Sequence, residues 1–236
     1  MDKLLTVVIP SYNVEKFLNQ TLDSFVCDEA VMKKFEVIVV DDGSKDNTAK
    51  IGKEYADKYP DTFRVISKEN GGHGSTINCG IRNAVGKYFK VVDGDDWVNT
   101  ADFVKLVEDL EKTESEYVFT NYNEYYDDVN RQKAVDFPQF KDGTEYDFAD
   151  VANKVYIPMH ALVIKTSVLK DNNIVIDEKC FYVDVEYVMF PVPFVNKVTF
   201  FDLHVYMYRL ALNSEREYSR VPKAYKRPSQ GYVPYV

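Results

Sequence analysis

Four short apolar runs, LLTVVIP, FEVIVV, FRVIS and KYFKVV, recur through the first part of the chain, and each stops at a polar or glycine-rich cluster. Between them lie stretches with helical spacing. Residues 15–26 place Phe17, Leu18, Leu22, Phe25 and Val26 on one stripe. After the second run, Asp46 or Asn47 can cap a helix with Ile51 and Tyr55 on its inner face. Ile77, Ile81, Ala84 and Val85 follow the third, and Phe103, Leu106, Val107 and Leu110 follow the fourth, ahead of a fifth strand, EYVFTNYNEYY. Strands alternating with single helices restrict the fold to α/β, with a mostly parallel, Rossmann-like central sheet covered by helices on both faces. Such sheets bind ligands outside the carboxyl ends of their strands. The clusters SYN, DDGS, ENGGHG and DGDD all fall at those ends.

The second half is less regular. Residues 127–145 are polar, with turns at Asp127-Asp128 and Asp142-Gly143. YIPMHALVIKTSVL reads as a strand leading into a short helix, YVDVEYVMFPVPFV as a helix closed by Pro191 and Pro193, and KVTFFDLHVYMYRL as a strand.

The net charge of −9 argues against nucleic acid as a partner, because a phosphate backbone needs a basic face. A phosphate ligand held through a cation stays compatible with it. The charge is uneven: residues 215–236 carry net +3, leaving −12 on residues 1–214. Cys27, Cys79 and Cys180 are few, odd in number and widely spaced, as expected of reduced cytosolic thiols. The start MDKLLTVVIPSYN turns polar too soon for a signal peptide, and no apolar run approaches the roughly 20 residues that span a bilayer. A cytoplasmic location is expected, with room for contact with a membrane surface and for a homo-oligomer.

The stretch VVDGDDWV sets a physical problem. Asp93, Asp95 and Asp96 crowd three carboxylates into one strand end, where like charges repel. Gly94 allows a tight turn. Oxygen ligands two residues apart suit a hard cation, Mn²⁺ or Mg²⁺, which shared with a diphosphate would remove the repulsion. The competing reading is a solvated Asp-Gly turn. In VVDDGSKDNT, Asp41 or Asp42 can accept from a uracil N–H or a ribose hydroxyl, and Ser44, Asp46 and Asn47 can serve as caps. Asn70, Gly71 and Gly72 can cradle a phosphate with backbone N–H groups, or simply connect strand to helix, with His73 as a surface residue. Asp184 and Glu186 stand at a helix start, where acids favour the dipole, and spacing alone reads them as solvated. His160 interrupts an apolar strand, as a packed structural histidine does.

Taken in order, VVIPSYN, VIVVDDGSKDNT, ENGGHGSTINCGIRNAVGKYF and VVDGDDWV resemble the inverting family 2 glycosyltransferases with the GT-A fold, strongly over residues 4–112 and loosely to 210. The resemblance implies a nucleotide-sugar donor, often a UDP-sugar, and a divalent cation. Pro10, Tyr12 and Asp42 would line the nucleoside pocket, with Asn13 and Asp41 beside them. Asp93 and Gly94 would meet the ribose side, and Asp95 would bind the metal with Asp96 as the competing ligand. The family's catalytic carboxylate usually ends a Glu-Asp pair before an apolar helix. Here that place reads Val183-Asp184, which makes Asp184 the general base for a single, inverting displacement. Trp97, His160 and Glu186 fall on the acceptor side. The acceptor would be a glycan, a lipid-linked glycan or a glycoprotein.

The chain departs from the pattern at Ile77, where relatives carry an Arg that contacts the diphosphate, and at Val183. Residues 1–214 read as the catalytic domain. Residues 215–236 read as an irregular basic tail, an altered or truncated C-terminus that lacks a following domain. The alternatives are a sugar nucleotidyltransferase, disfavoured because IPSYNVEKF lacks a Gly-rich basic loop, and an inactive nucleotide-sugar-binding or scaffold module, disfavoured by the intact acids. A dinucleotide oxidoreductase would need GxGxxG after the first strand.

Overall fold

The computed structural model describes residues 3–210, so the tail expected over 215–236 lies outside the described residues. Strands β1 (Leu5–Ser11) and β2 (Phe35–Asp41) are buried along their whole length. A strand covered on both faces has to be apolar continuously, which is why these runs show no alternation. They pair in parallel, β3 (Phe63–Ser67) joins β2 in parallel, and β4 (Tyr88–Val91) joins β1 in parallel. Ser11 stands opposite Asp41, and Asp41 opposite Ser67. The loops after these three strands therefore leave the sheet at one level.

Beyond β4 the sheet is mixed. Its order is β3-β2-β1-β4-β9-β6-β10-β5, where β5 is Trp97–Val98, β6 is Tyr117–Tyr126, β9 is Leu162–Lys165 and β10 is Lys197–Leu210. Strand β6 runs parallel to β10 and antiparallel to β9. Two further strands, β7 (Arg131–Val135) on β6 and β8 (Thr144–Asp147) on β10, lie within and at the end of the polar stretch 127–145, which the sequence marks by its turns. Their residues are mostly exposed or half-buried, so they carry no apolar alternation to betray them.

Helices cover both faces. Leu18 and Leu22 of α1 (Leu18–Asp23), Ile51 of α3 (Thr48–Lys58), and Phe103 and Leu106 of α5 (Thr100–Asp109) pack with Val7, Ile9, Val37 and Val39. The short α2 (Glu29–Met32) adds Met32 to this face. On the opposite face, Ile77 and Ile81 of α4 (His73–Asn83), Leu169 of α7 (Thr166–Asp171) and Tyr187 of α8 (Val183–Met189) pack with Val8, Ile38, Val40 and Phe89, and α6 (Phe148–Val151) adds Val151. Helix α1 is shorter than its apolar stripe: Phe25 is buried beyond the helix end, where it meets Phe103 edge-on at 5.0 Å. Among the described residues no helix is long and apolar enough to cross a membrane.

Candidate active site

The four loops at the carboxyl ends of β1 to β4 are tied together by their own polar residues. Asn13 donates its N–H to Ser44 Oγ at 3.0 Å and accepts Lys45 N–H on Oδ1 at 2.8 Å, joining the first loop to the second. Asn13 takes a left-handed conformation, φ 54°, which asparagine tolerates. Asp41 Oδ1 accepts Ser44 N–H at 3.0 Å, and Asp46 Oδ1 accepts the first N–H of α3, that of Thr48, at 3.0 Å, from one residue ahead of the N-cap position held by Asn47. Pro10 is buried in β1, while Tyr12 projects into solvent from the loop after it.

Asp42 is 2% exposed, and its carboxylate is directed at the third loop. It accepts Lys68 Nζ at 2.6 Å, Gly71 N–H at 3.0 Å and Gly72 N–H at 2.8 Å. Asn70 Nδ2 donates to the Asp42 carbonyl at 3.0 Å. The amides expected to cradle a phosphate thus point inward to Asp42, and Asp42 binds the glycine loop through both oxygens. Gly72 has φ 84°, a conformation open to glycine, and this aims its N–H back at the strand end.

The DGDD turn gives each carboxylate a different surrounding. Asp93 Oδ1 lies 2.9 Å from His73 Nε2 at the start of α4. Burial pushes the Asp93 carboxyl up, but the His73 charge and hydrogen bond outweigh it and hold it below the usual range. Burial likewise pulls His73 down, and Asp93, with Asp184 and Asp95 beyond it, raises it above an ordinary histidine. Asp96 is 2% exposed; it accepts Tyr206 Oη–H at 2.5 Å and Arg209 N–H at 2.7 Å. Burial and the neighbouring Asp93 and Asp95 raise its carboxyl well above the usual range. Asp96 is therefore walled in by β10 and cannot open to a ligand without breaking both bonds. The Asp95 side chain alone among the three is exposed. Partial desolvation by its surroundings and the Asp93 charge raise its carboxyl, and a cation would relieve the repulsion. An exposed carboxylate beside a half-buried second acid, Asp93, fits a hard divalent cation that keeps other ligands from substrate and water. Gly94 does not use a positive φ. It is needed because a Cβ there would sit 2.9 Å from the Pro10 carbonyl oxygen and 3.0 Å from Val14 Cγ2.

Asp184 is half-buried in the first turn of α8, near enough for its charge to act on His73, His160 and Tyr208. His160 stacks on Tyr208 with ring centroids 4.0 Å apart and meets Tyr206 edge-on at 4.9 Å. Burial lowers it to about 4, so it is neutral near pH 7. His160 is packed, but in the turn before β9 and not in a strand: the stretch expected to be a strand from Tyr156 becomes one only at Leu162, and the Asp184 charge reaches the histidine there. Trp97 packs edge-on to Tyr125 at 5.0 Å, with the Arg209 guanidinium 4.6 Å from its ring centre. Glu186 Oε2 accepts Asp177 N–H at 2.8 Å, and with Cys180 these residues form an outward-facing acidic group.

Sequence pattern gave no hint of Tyr206, Tyr208, Arg209 or Lys68, although all four touch or shape the site. Tyr206 and Tyr208 share one face of β10 by alternation, but alternation does not tell that this strand lies against the DGDD turn.

The family model for Glycosyl transferase family 2 matches residues 6–172. The glycosyltransferase EpsJ of Bacillus subtilis is 38% identical over 118 residues, half of this chain and 33% of that protein. Glycosyltransferase GlyA of Streptococcus pneumoniae is 33% identical over 122 residues, 52% of this chain and 17% of that protein. The chain thus spans a third or less of these relatives. Residues 1–349 of Staphylococcus aureus TarS, solved with UDP-GlcNAc, superpose with a TM-score of 0.73 at 25% identity over 88% of this chain and 58% of that one. The mannosyltransferase PcManGT of Pyrobaculum calidifontis, solved with GDP-Man and Mn²⁺, gives 0.63 at 18% identity over 96% and 59%, a likeness of fold alone. The loop cluster, the mixed sheet and the match over most of the chain lead to one conclusion: the protein belongs to glycosyl transferase family 2 and has the GT-A fold.

Proposed function

We propose that this chain transfers a sugar from a nucleotide-sugar donor, a UDP-sugar, to an acceptor hydroxyl with inversion at the anomeric carbon. The observation that carries the reading is the unequal treatment of the DGDD acids. Asp93 and Asp96 are taken up by protein partners, and Asp95 is left facing solvent within the field of the loops that also receive the Asp184 charge. The UDP-GlcNAc bound by TarS supports the choice of donor class.

Asp95 would hold Mn²⁺ or Mg²⁺. Such a cation, when bound, offsets the negative charge that grows on a leaving nucleoside diphosphate. The remaining work falls to the chain. Asp184 accepts the proton of the acceptor hydroxyl as its oxygen bonds to the anomeric carbon. The bond from that carbon to the diphosphate oxygen breaks, and its electron pair leaves with UDP. One displacement on one face inverts the centre, so no covalent nucleophile is needed. His160, neutral and stacked on Tyr208, walls this space without adding charge. Asp42 serves the donor pocket indirectly, by fixing the glycine loop.

The test is a panel of UDP-, GDP- and dTDP-sugars with simple glycan acceptors, followed by proton NMR of the product. A β-linked product from an α-linked UDP-sugar is expected. A retained configuration contradicts the single displacement, and nucleotide binding without turnover on any donor points to an inactive binding module.

A further inference from the structure

Arg209 is the most heavily engaged side chain around the DGDD turn, and the reaction proposed above gives it no part. It lies near the end of β10 with 11% of its side chain exposed. Its Nε donates to the Asp95 carbonyl at 2.7 Å, Nη1 to both oxygens of Asp127 at 2.7 and 2.6 Å, and Nη2 to Gln20 Oε1 at 2.6 Å. Its guanidinium is sandwiched between the rings of Phe17 at 4.8 Å and Trp97 at 4.6 Å. Its own backbone N–H donates to Asp96 Oδ1 at 2.7 Å.

One residue therefore grips the Asp95-Asp96 pair twice, by the carbonyl of the first and the carboxylate of the second. The rest of the turn is tied elsewhere. Gly94 N–H donates to the Pro10 carbonyl at 3.1 Å, Asp96 N–H to the Asp93 carbonyl at 3.0 Å, and Asp93 N–H to Tyr206 Oη at 3.2 Å. The Thr21 hydroxyl lies 2.6 Å from the Asp96 carbonyl and 3.0 Å from that of Gly94. The Asp95 carbonyl is held by Arg209 Nε, from a strand more than a hundred residues further along the chain.

We infer that Arg209 is a positioning residue: by locking the Asp95 carbonyl through a guanidinium clamped by Phe17, Trp97, Asp127 and Gln20, it fixes where the Asp95 carboxylate stands for a cation-bound diphosphate. The task calls for arginine. A planar fork bonds three partners in one plane while stacking on two rings, and the point charge of lysine cannot. The inference rests on the donor reading for the identity of the ligand, but its geometric core does not.

The test compares wild type with Arg209→Lys by two readouts. The first is amide hydrogen exchange at Gly94, Asp96 and Val98, whose N–H groups are all bonded. Exchange about tenfold faster at these amides in Arg209→Lys is expected, with the β2 amides unchanged. The second is UDP affinity with and without Mn²⁺. A fall of about tenfold with Mn²⁺ and no change in EDTA is expected. Should Arg209→Lys fold poorly, Asp127→Asn, which removes the anchoring charge and keeps its shape, should show the same two changes in smaller measure. Unaltered exchange in the turn overturns the inference, and so does an equal loss of UDP affinity with Mn²⁺ and EDTA. A wild type that binds no UDP under either condition contradicts the donor reading, and the exchange data then decide the role of Arg209.

Discussion

His73 Nε2 lies 2.9 Å from Asp93 Oδ1, so the glycine loop after β3 is latched to the acidic turn after β4. The histidine is raised above its ordinary value and the aspartate lowered below its own. Raised His73 stabilises fully below its unfolded value of about 6.5, and the gain is lost as pH rises through the folded value. Lowered Asp93 stabilises above about 3.9, and that gain is lost as pH falls through its folded value. The latch is strongest between these limits. Wild type should exceed His73→Gln by on the order of 1 kcal/mol at pH 5.5–6, since both side chains keep contact with water, and by little at pH 9. Urea midpoints at the two pH values check this; an equal difference at both would contradict it.

Asp42 is predicted to matter for the fold before it matters for a ligand. Asp42→Ala strips Lys68 of its buried partner and leaves the N–H groups of Gly71 and Gly72 unpaired. Removing one member of such a set costs about 3–5 kcal/mol. Chemical denaturation measures this directly. A variant within about 0.5 kcal/mol of wild type, well short of that loss, would mean that the carboxylate is free to face a donor.

Lys90 is fully buried in β4, with Nζ on the carbonyls of His160 at 2.9 Å and Leu162 at 3.2 Å and 5.4 Å from the Tyr206 ring centre. Burial lowers it to about 7. Its unfolded value is about 10.4, so between these the unfolded chain binds more protons and stability rises with pH. The wild type should gain as much as about 4 kcal/mol relative to Lys90→Met from pH 7 to pH 10. Parallel stability curves for the two proteins would refute the lowered lysine.

Asp184→Asn should remove the proton acceptor and leave the donor pocket intact. Turnover is expected to fall by about 10²-fold or more, with UDP-sugar affinity within about threefold of wild type. Steady-state kinetics beside direct binding separates the two. Retained turnover would remove Asp184 from its proposed role.

The parallel half of the fold was legible because β1 and β2 are buried on both faces and announce themselves as unbroken apolar runs. Strands β7 and β8 were not, because they sit at exposed edges with polar side chains on both sides. The convergence of four loops followed from strand order alone. The division of labour among the three aspartates did not, since Tyr206 and Arg209, which claim Asp96, arrive from the far end of the chain. Nor did the inward turn of the Gly71 and Gly72 amides, which depends on the partner at Asp42 and not on the glycines.

The central claim is that Asp95 is the acid left for a cation and a nucleotide diphosphate. Calorimetric titration of UDP into wild type and Asp95→Asn, each with Mn²⁺ and with EDTA, tests it most directly. The account predicts micromolar binding to wild type with Mn²⁺, a loss of at least tenfold in EDTA, and a similar loss in Asp95→Asn with Mn²⁺ present. Equal binding in all four titrations would contradict it and reduce the DGDD stretch to a structural turn.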